Sequence, residues 1–152
     1  MAALAVFEDN VSTQFRIHDL LEPTKHEIVA EALDMTSAYD LLTAMALGDV
    51  HADYTLVDGN LKGHQRLFDL TLPPHMNSRQ ISVKENTSPA MGADGRQIIQ
   101  IIRACQIPTI LIGISGSPAE LWGGEVDHDL TKSNLGLGLV ELILKLEAEK
   151  NT

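Results

Sequence analysis

Thr109-Ile-Leu-Ile-Gly-Ile-Ser115 is the stretch that decides the fold. Pro108 introduces it, and its apolar run is continuous rather than alternating. A strand covered on both faces has this pattern, and such strands belong to the interior of parallel sheets. Upstream, Ile98, Ile101, Ile102 and Cys105 recur at helical spacing, which predicts a helix from near Asp94. Downstream, Ser117-Pro118-Ala119-Glu120 has the form of a helix start, with a serine cap, proline at the first position and glutamate at the third. The local order is therefore helix, strand, helix.

The same alternation extends in both directions. Residues 3–8 read as a short buried strand, and residues 11–22 as a helix that opens after Asp9-Asn10 and stops before Pro23. Residues 26–33 read as a second strand. A helix is expected from about Ser37, where Ser37 and Asp40 have capping-box spacing; its apolar face is Ala38, Leu41, Leu42 and Met45. Residues 53–58 make a third strand. A short strand precedes Lys132, and the last helix, from about Asn134, carries Leu135, Leu139, Leu142, Ile143 and Leu146. Five strand–helix units in alternation predict an α/β fold: a doubly wound five-stranded parallel sheet. Right-handed crossovers place helices on both of its faces.

The 152 residues suit one domain, 1–152, with a core of useful size. Residues 64–93 break the pattern. They hold Pro73-Pro74 and Pro89 and are too long for an ordinary connection, so they read as an insertion. Leu67–Leu72 and Gln80–Lys84 alternate weakly, as a hairpin would. A formal net charge of -10 argues against a nucleic-acid partner held by a broad basic face. It favours basic protein surfaces and divalent cations. No apolar run approaches a membrane span, so no membrane partner is expected. The apolar N-terminus lacks a basic flank and runs into Glu8, as a buried strand does rather than a signal peptide. The single Cys105 excludes an intrachain disulfide, and a cytoplasmic location is the simplest expectation.

Three apolar runs and one short strand-like stretch end in residues that one phosphoryl site would need. Glu8-Asp9 follow Leu4–Phe7, Asp58 follows Tyr54–Val57, Ser115 follows Ile110–Ile114, and Lys132 follows Asp129–Thr131. In an open α/β sheet the strand ends meet along one edge, where ligands bind. Crowded carboxylates repel and raise each other's pKa without a counter-charge; a dication and a lysine relieve this. In isolation, Glu8-Asp9 fit a helix cap better than a metal site. Asp58 is harder to place without a partner, because an acid closing a buried strand is costly.

These motifs resemble the receiver domains of two-component response regulators. "LAVFEDN" is similar to that family's first strand and acidic pair, and "HADYTLVDGNLKG" to its third strand, phosphorylated aspartate and following loop. "ADGRQIIQIIRACQIPTILIGISGS" resembles the third helix, fourth strand and hydroxyl–small-residue pair, and "DHDLTKS" the end of the fifth strand with its lysine. Nearly the whole chain outside residues 64–93 takes part.

The resemblance implies a flavodoxin-like receiver fold and a set of roles. Asp58 would be the phosphoacceptor, taking a phosphoryl group from a histidine kinase or phosphotransfer protein. Asp9 and Asp58 would ligate Mg²⁺ (or Mn²⁺) directly, Glu8 through water, and Asn60 through its backbone carbonyl. Ser115 would hydrogen-bond a phosphoryl oxygen and Lys132 would pair with the phosphoryl group. Transfer would be autocatalytic and onto the chain's own aspartate, not a turnover activity, and the output would be altered binding to a downstream protein.

Two positions depart from the family. Ser133 stands where proline usually follows the lysine, and Asp129 stands where an aromatic residue is usual three places before it. A degenerate receiver that binds a partner without phosphorylation is the alternative these leave open. A haloacid dehalogenase-like phosphatase is a weaker one: Asp58-Gly-Asn-Leu61 is similar to one of its elements, but Leu56 occupies the place of the nucleophilic aspartate. His18 is a poor phosphotransfer candidate. Leu137, Val140 and Leu144 make the last helix apolar on a second side, where a homodimer or partner contact is expected.

Overall fold

The structure is a computed structural model and describes residues 1–59, 61, 93–115 and 126–150. Its elements run β1 (Ala3–Phe7), α1 (Val11–Leu21), β2 (Glu27–Ala32), α2 (Met35–Leu47), β3 (Tyr54–Asp58), α3 (Ala93–Ala104), β4 (Ile110–Ser115), β5 (His128–Thr131), a one-turn 3-10 helix (Lys132–Asn134) and α4 (Leu135–Lys150). The strands form one five-stranded sheet in the order β2-β1-β3-β4-β5. Every pairing is parallel. The expected doubly wound α/β sheet is therefore present. Chain direction across the sheet reverses between β1 and β3, which creates the crevice at their carboxyl ends where such folds bind ligands.

Strand periodicity sorts the core into two layers. Ala5, Phe7, Val57 and Leu111 point to one face and pack with Leu41, Leu42 and Met45 of α2 and Ile98, Ile101 and Ile102 of α3. Leu4, Val6, Leu56, Ile112 and Ile114 point to the other and pack with Ile17 and Leu21 of α1 and Leu139 and Ile143 of α4. Burial on both faces explains why β3 and β4 carry no alternation, since neither face meets water. At the sheet edge, β2 alternates exposed and half-buried residues.

Helix ends follow local chemistry. Asn10 caps α1, its side chain accepting the Thr13 N–H at 3.1 Å. The start of α2 differs from the sequence expectation. Asp34 is the cap and Ser37 the third helical residue, and the two bond reciprocally as a capping box. The helix begins one turn early because Met35 is fully buried and pulls that turn onto the core. Gly48 ends α2 at φ 82°, a conformation glycine adopts without penalty. Among the described residues, no helix is long and apolar enough to cross a membrane. The expected helix after Ser117 and the insertion up to residue 92 lie outside the described residues, and α3 starts at Ala93.

Candidate phosphoryl site at the carboxyl edge

Register carries the polar residues to one edge. Phe7 pairs with Val57, so the next residues, Glu8 and Asp58, leave the sheet side by side. Asp58 pairs with Ile114, and Ser115, the last residue of β4, pairs with Thr131, directly before Lys132. The Ser115 backbone therefore stands at this edge. Asn60 lies outside the described residues.

The acids meet. One carboxylate oxygen each from Glu8, Asp9 and Asp58 lies within 4.8 Å of the others. Glu8 is fully buried and Asp58 is 6% exposed. Lys132 reaches both: its Nζ lies 3.2 Å from Glu8 Oε1 and 3.4 Å from Asp58 Oδ2. Asp9 is half-buried. The rival assignment of Glu8-Asp9 as the helix cap does not hold, since Asn10 does that work and Glu8 turns toward Asp58 and Lys132.

Glu8 is the anchored member. Its Oε1 accepts the Asn10 N–H at 3.0 Å, and its backbone N–H donates to Ala32 at 3.0 Å, extending the β1–β2 pairing. Gln14 donates through Nε2 to the Glu8 carbonyl at 2.8 Å. Sequence reasoning did not reach Gln14. Its signal was a polar residue on the buried Gln14–Ile17–Leu21 stripe of α1. Glu8 Oε2 is buried and has no hydrogen-bond partner among the described residues.

The electrostatics are unbalanced. Burial, then the neighbouring charge of Asp58, push Glu8 up to about 7, against the opposing pull of the Asn10 N–H and Lys132. Burial also raises Asp58, with Lys132 holding it back. Burial acts to lower Lys132, but Asp58 and Glu8 outweigh it, and its pKa is raised. Among the described residues, three carboxylates share one ammonium, so the cluster lacks positive charge.

A hard dication fits that deficit. Mg²⁺ takes oxygen ligands, and three carboxylate oxygens within 4.8 Å of one another could share one such ion. The donor set is all oxygen, and the orphaned Glu8 Oε2 gives a buried acceptor for a water or an ion.

Similar solved structures share this architecture. The chain aligns with the receiver domain of the Francisella response regulator 1452 at 16% identity, covering all of both chains with a TM-score of 0.62. It aligns with RcsB of Salmonella enterica serovar Typhimurium, solved bound to promoter rprA with the phosphomimetic BeF3-, at 14% identity, 97% and 99% coverage and a TM-score of 0.65. The response regulator domain of Thermotoga maritima CheB gives 14% identity, 95% coverage of each chain and 0.60. The chain has the receiver-domain fold. No protein-family model and no curated protein matches the sequence.

Proposed function

We propose that this receiver-fold chain is a phosphoacceptor of two-component signalling, taking a phosphoryl group from a histidine kinase or phosphotransfer protein onto Asp58. One observation carries the reading: three carboxylates from two strand ends converge, with the Lys132 ammonium 3.2 Å and 3.4 Å from two of them. A buried acid cluster of this kind is costly for the fold, and phosphoryl chemistry with a dication gives it a use.

An Asp58 carboxylate oxygen attacks the donor phosphorus in line. The P–N bond of the donor phosphohistidine breaks, its electron pair stays on the imidazole nitrogen, and an acyl phosphate remains on Asp58. Asp9 and Asp58 would hold Mg²⁺ or Mn²⁺ directly, Glu8 through water, and the Asn60 carbonyl would complete the protein's share. The bound cation supplies charge neutralisation on the phosphoryl oxygens. Lys132 then exchanges part of its carboxylate contact for a phosphoryl oxygen, and the Ser115 hydroxyl donates to another. The phosphoryl oxygens become partners of these side chains only on transfer, which lets phosphorylation shift the surrounding loops and alter binding to a downstream protein.

Incubation with acetyl phosphate and Mg²⁺ tests this. Stoichiometric, Mg²⁺-dependent labelling that disappears in Asp58→Asn is the expected result. An unlabelled wild type that still binds a partner supports the degenerate receiver instead, a reading favoured by Asp129 and Ser133. For a homodimer, the exposed Leu137 and Leu144 of α4 are the proposed contact; a strict monomer by sedimentation, with and without a phosphoryl mimic, rejects it.

A further inference from the structure

The Lys132 ammonium can serve the acids only if its backbone is held at the right distance. That backbone belongs to a one-turn 3-10 helix between β5 and α4, a short element with little hydrogen bonding of its own. Ser133 follows the lysine, and no peptide bond among the described residues is cis. Proline does not stiffen this turn, so its rigidity must come from elsewhere.

Two contacts supply it. The Thr131 and Ser133 hydroxyls hydrogen-bond to each other at 3.0 Å across the turn. From α1, Arg16 donates through its guanidinium to the Lys132 carbonyl at 3.3 Å. Gly136 makes room for this arginine: a Cβ there would stand 2.8 Å from Arg16 Nη2. The arginine thus sits against the N-terminal turn of α4. A cation is disfavoured at that end of a helix dipole, so helix stability alone does not account for its position.

We propose that Arg16 is a positioning residue for Lys132, holding the lysine turn so that the ammonium stays on Glu8 and Asp58. The inference rests on the phosphoacceptor reading for its consequence, but its structural content does not. Arg16 acts through the Lys132 carbonyl and not on the phosphoryl group. The chain thereby obtains from α1, 116 residues away in sequence, a restraint on the turn beyond the local Thr131–Ser133 bond.

The test compares labelling by acetyl phosphate in the wild-type chain, Arg16→Ala, Arg16→Lys and Gly136→Ala. Arg16→Ala slows labelling about tenfold, less than the roughly hundredfold that a full 1 Å misplacement can cost. Mg²⁺ affinity stays at the wild-type value. Arg16→Lys recovers part of the rate, since its ammonium can still donate to the Lys132 carbonyl. Gly136→Ala also slows labelling by displacing the guanidinium, while its thermal midpoint rises because alanine favours helix over glycine. A merely structural role for Arg16 cannot produce slower labelling in a more stable protein. In a Lys132→Ala background, Arg16→Ala has no further effect. Full additivity in that background, or wild-type labelling by Gly136→Ala, overturns the proposal. If the wild type takes no label at all, the phosphoacceptor reading fails by itself. Nitrogen NMR relaxation of the Lys132 ammonium in the metal-free chain then decides the role of Arg16. Lost order in Arg16→Ala and Gly136→Ala supports it, and unchanged order refutes it.

Discussion

The two ends of the sheet handle acid in opposite ways, half-buried Asp53 at one and buried Glu8 and Asp58 at the other. At the amino end, Asp53 accepts the Ala3 N–H at 2.9 Å, with His51 beside its other oxygen, and this hydrogen bonding holds its carboxyl below the usual range. There too, Tyr54, fully buried, donates its hydroxyl to Glu147 at 3.0 Å, and Lys150 covers the ring. At the carboxyl end, Glu8 and Asp58 are both pushed up, and Glu8 keeps a buried oxygen without a partner among the described residues. One end uses polar groups to fasten strands and helices. The other holds charge that the fold does not satisfy. Strain of the second kind concentrates at functional sites, which is why the carboxyl end is the place to look for chemistry.

The largest effect expected from breaking this contrast is all-or-none. Asp58→Asn removes the proposed nucleophile while preserving shape, so labelling by acetyl phosphate falls to zero. The same change removes one of the repelling charges beside Glu8 and raises the metal-free protein's thermal midpoint. Loss of labelling with a raised midpoint separates a functional group from a structural one. A midpoint that falls sharply would place Asp58 among the fasteners.

Glu8 gives the next effect, with a definite sign. Its folded pKa of about 7 lies above the ordinary 4.5, so the folded state holds its proton more tightly than the unfolded chain. Its contribution to stability is complete below pH 4.5 and is lost as pH rises to about 7. A tenfold difference in proton affinity between the two states is worth about 1.4 kcal/mol, so the metal-free chain loses a few kcal/mol across that window. Urea unfolding at several pH values measures the slope, and Glu8→Gln flattens it. Saturating Mg²⁺ restores stability above pH 7 in the wild type by mass action, and does so less in Glu8→Gln. A pH-independent metal-free stability would remove the electrostatic half of the contrast.

Most of the fold and the core of this edge were legible because the three central strands β1, β3 and β4 are apolar runs that end at or just before a polar residue. β3 and β4, covered on both faces, left unbroken runs that stop at Asp58 and Ser115, while Glu8-Asp9 stand where β1 stops and Lys132 where β5 stops. Boundaries were less legible where two chemical signals competed. Asp34–Ser37 and Ser37–Asp40 both have capping spacing, and burial of Met35 chose the earlier one. Contacts made across the sequence left no trace in it. Arg16 looks like an ordinary surface arginine until α1 and α4 pack side by side. Gln14 was half visible as a polar intrusion on an apolar stripe. Its bond to the Glu8 carbonyl depends on how α1 turns over the end of β1.

At the amino end the effects are smaller and confined to stability. Asp53→Ala leaves the Ala3 N–H without its acceptor and costs about 1 to 3 kcal/mol at neutral pH. Because the folded pKa of Asp53 is lowered, its contribution is present above the unfolded value of about 3.9 and is lost as pH falls through the lower folded value. This is the opposite pH sense to Glu8. Acid unfolding of the wild type and Asp53→Ala should therefore converge at low pH, while labelling rates agree throughout.

Tyr54→Phe is the mildest change and tests the amino end most cleanly. The ring stays, so the packing of Tyr54 beneath α4 stays with it; only the hydroxyl bond to Glu147 is lost. Glu147 is partly exposed and also pairs with Lys150 at 3.4 Å, so water and the lysine take over its lone pairs. Nothing polar is left stranded in the core, which keeps the cost near ~1 kcal/mol rather than the larger penalty of an orphaned buried group. The loss appears in unfolding and in faster amide exchange in the last turns of α4. It does not reach Lys132, which lies at the opposite end of that helix. A labelling rate that changed with Tyr54→Phe would mean that α4 transmits strain along its length, and the two ends of the sheet could no longer be treated as independent.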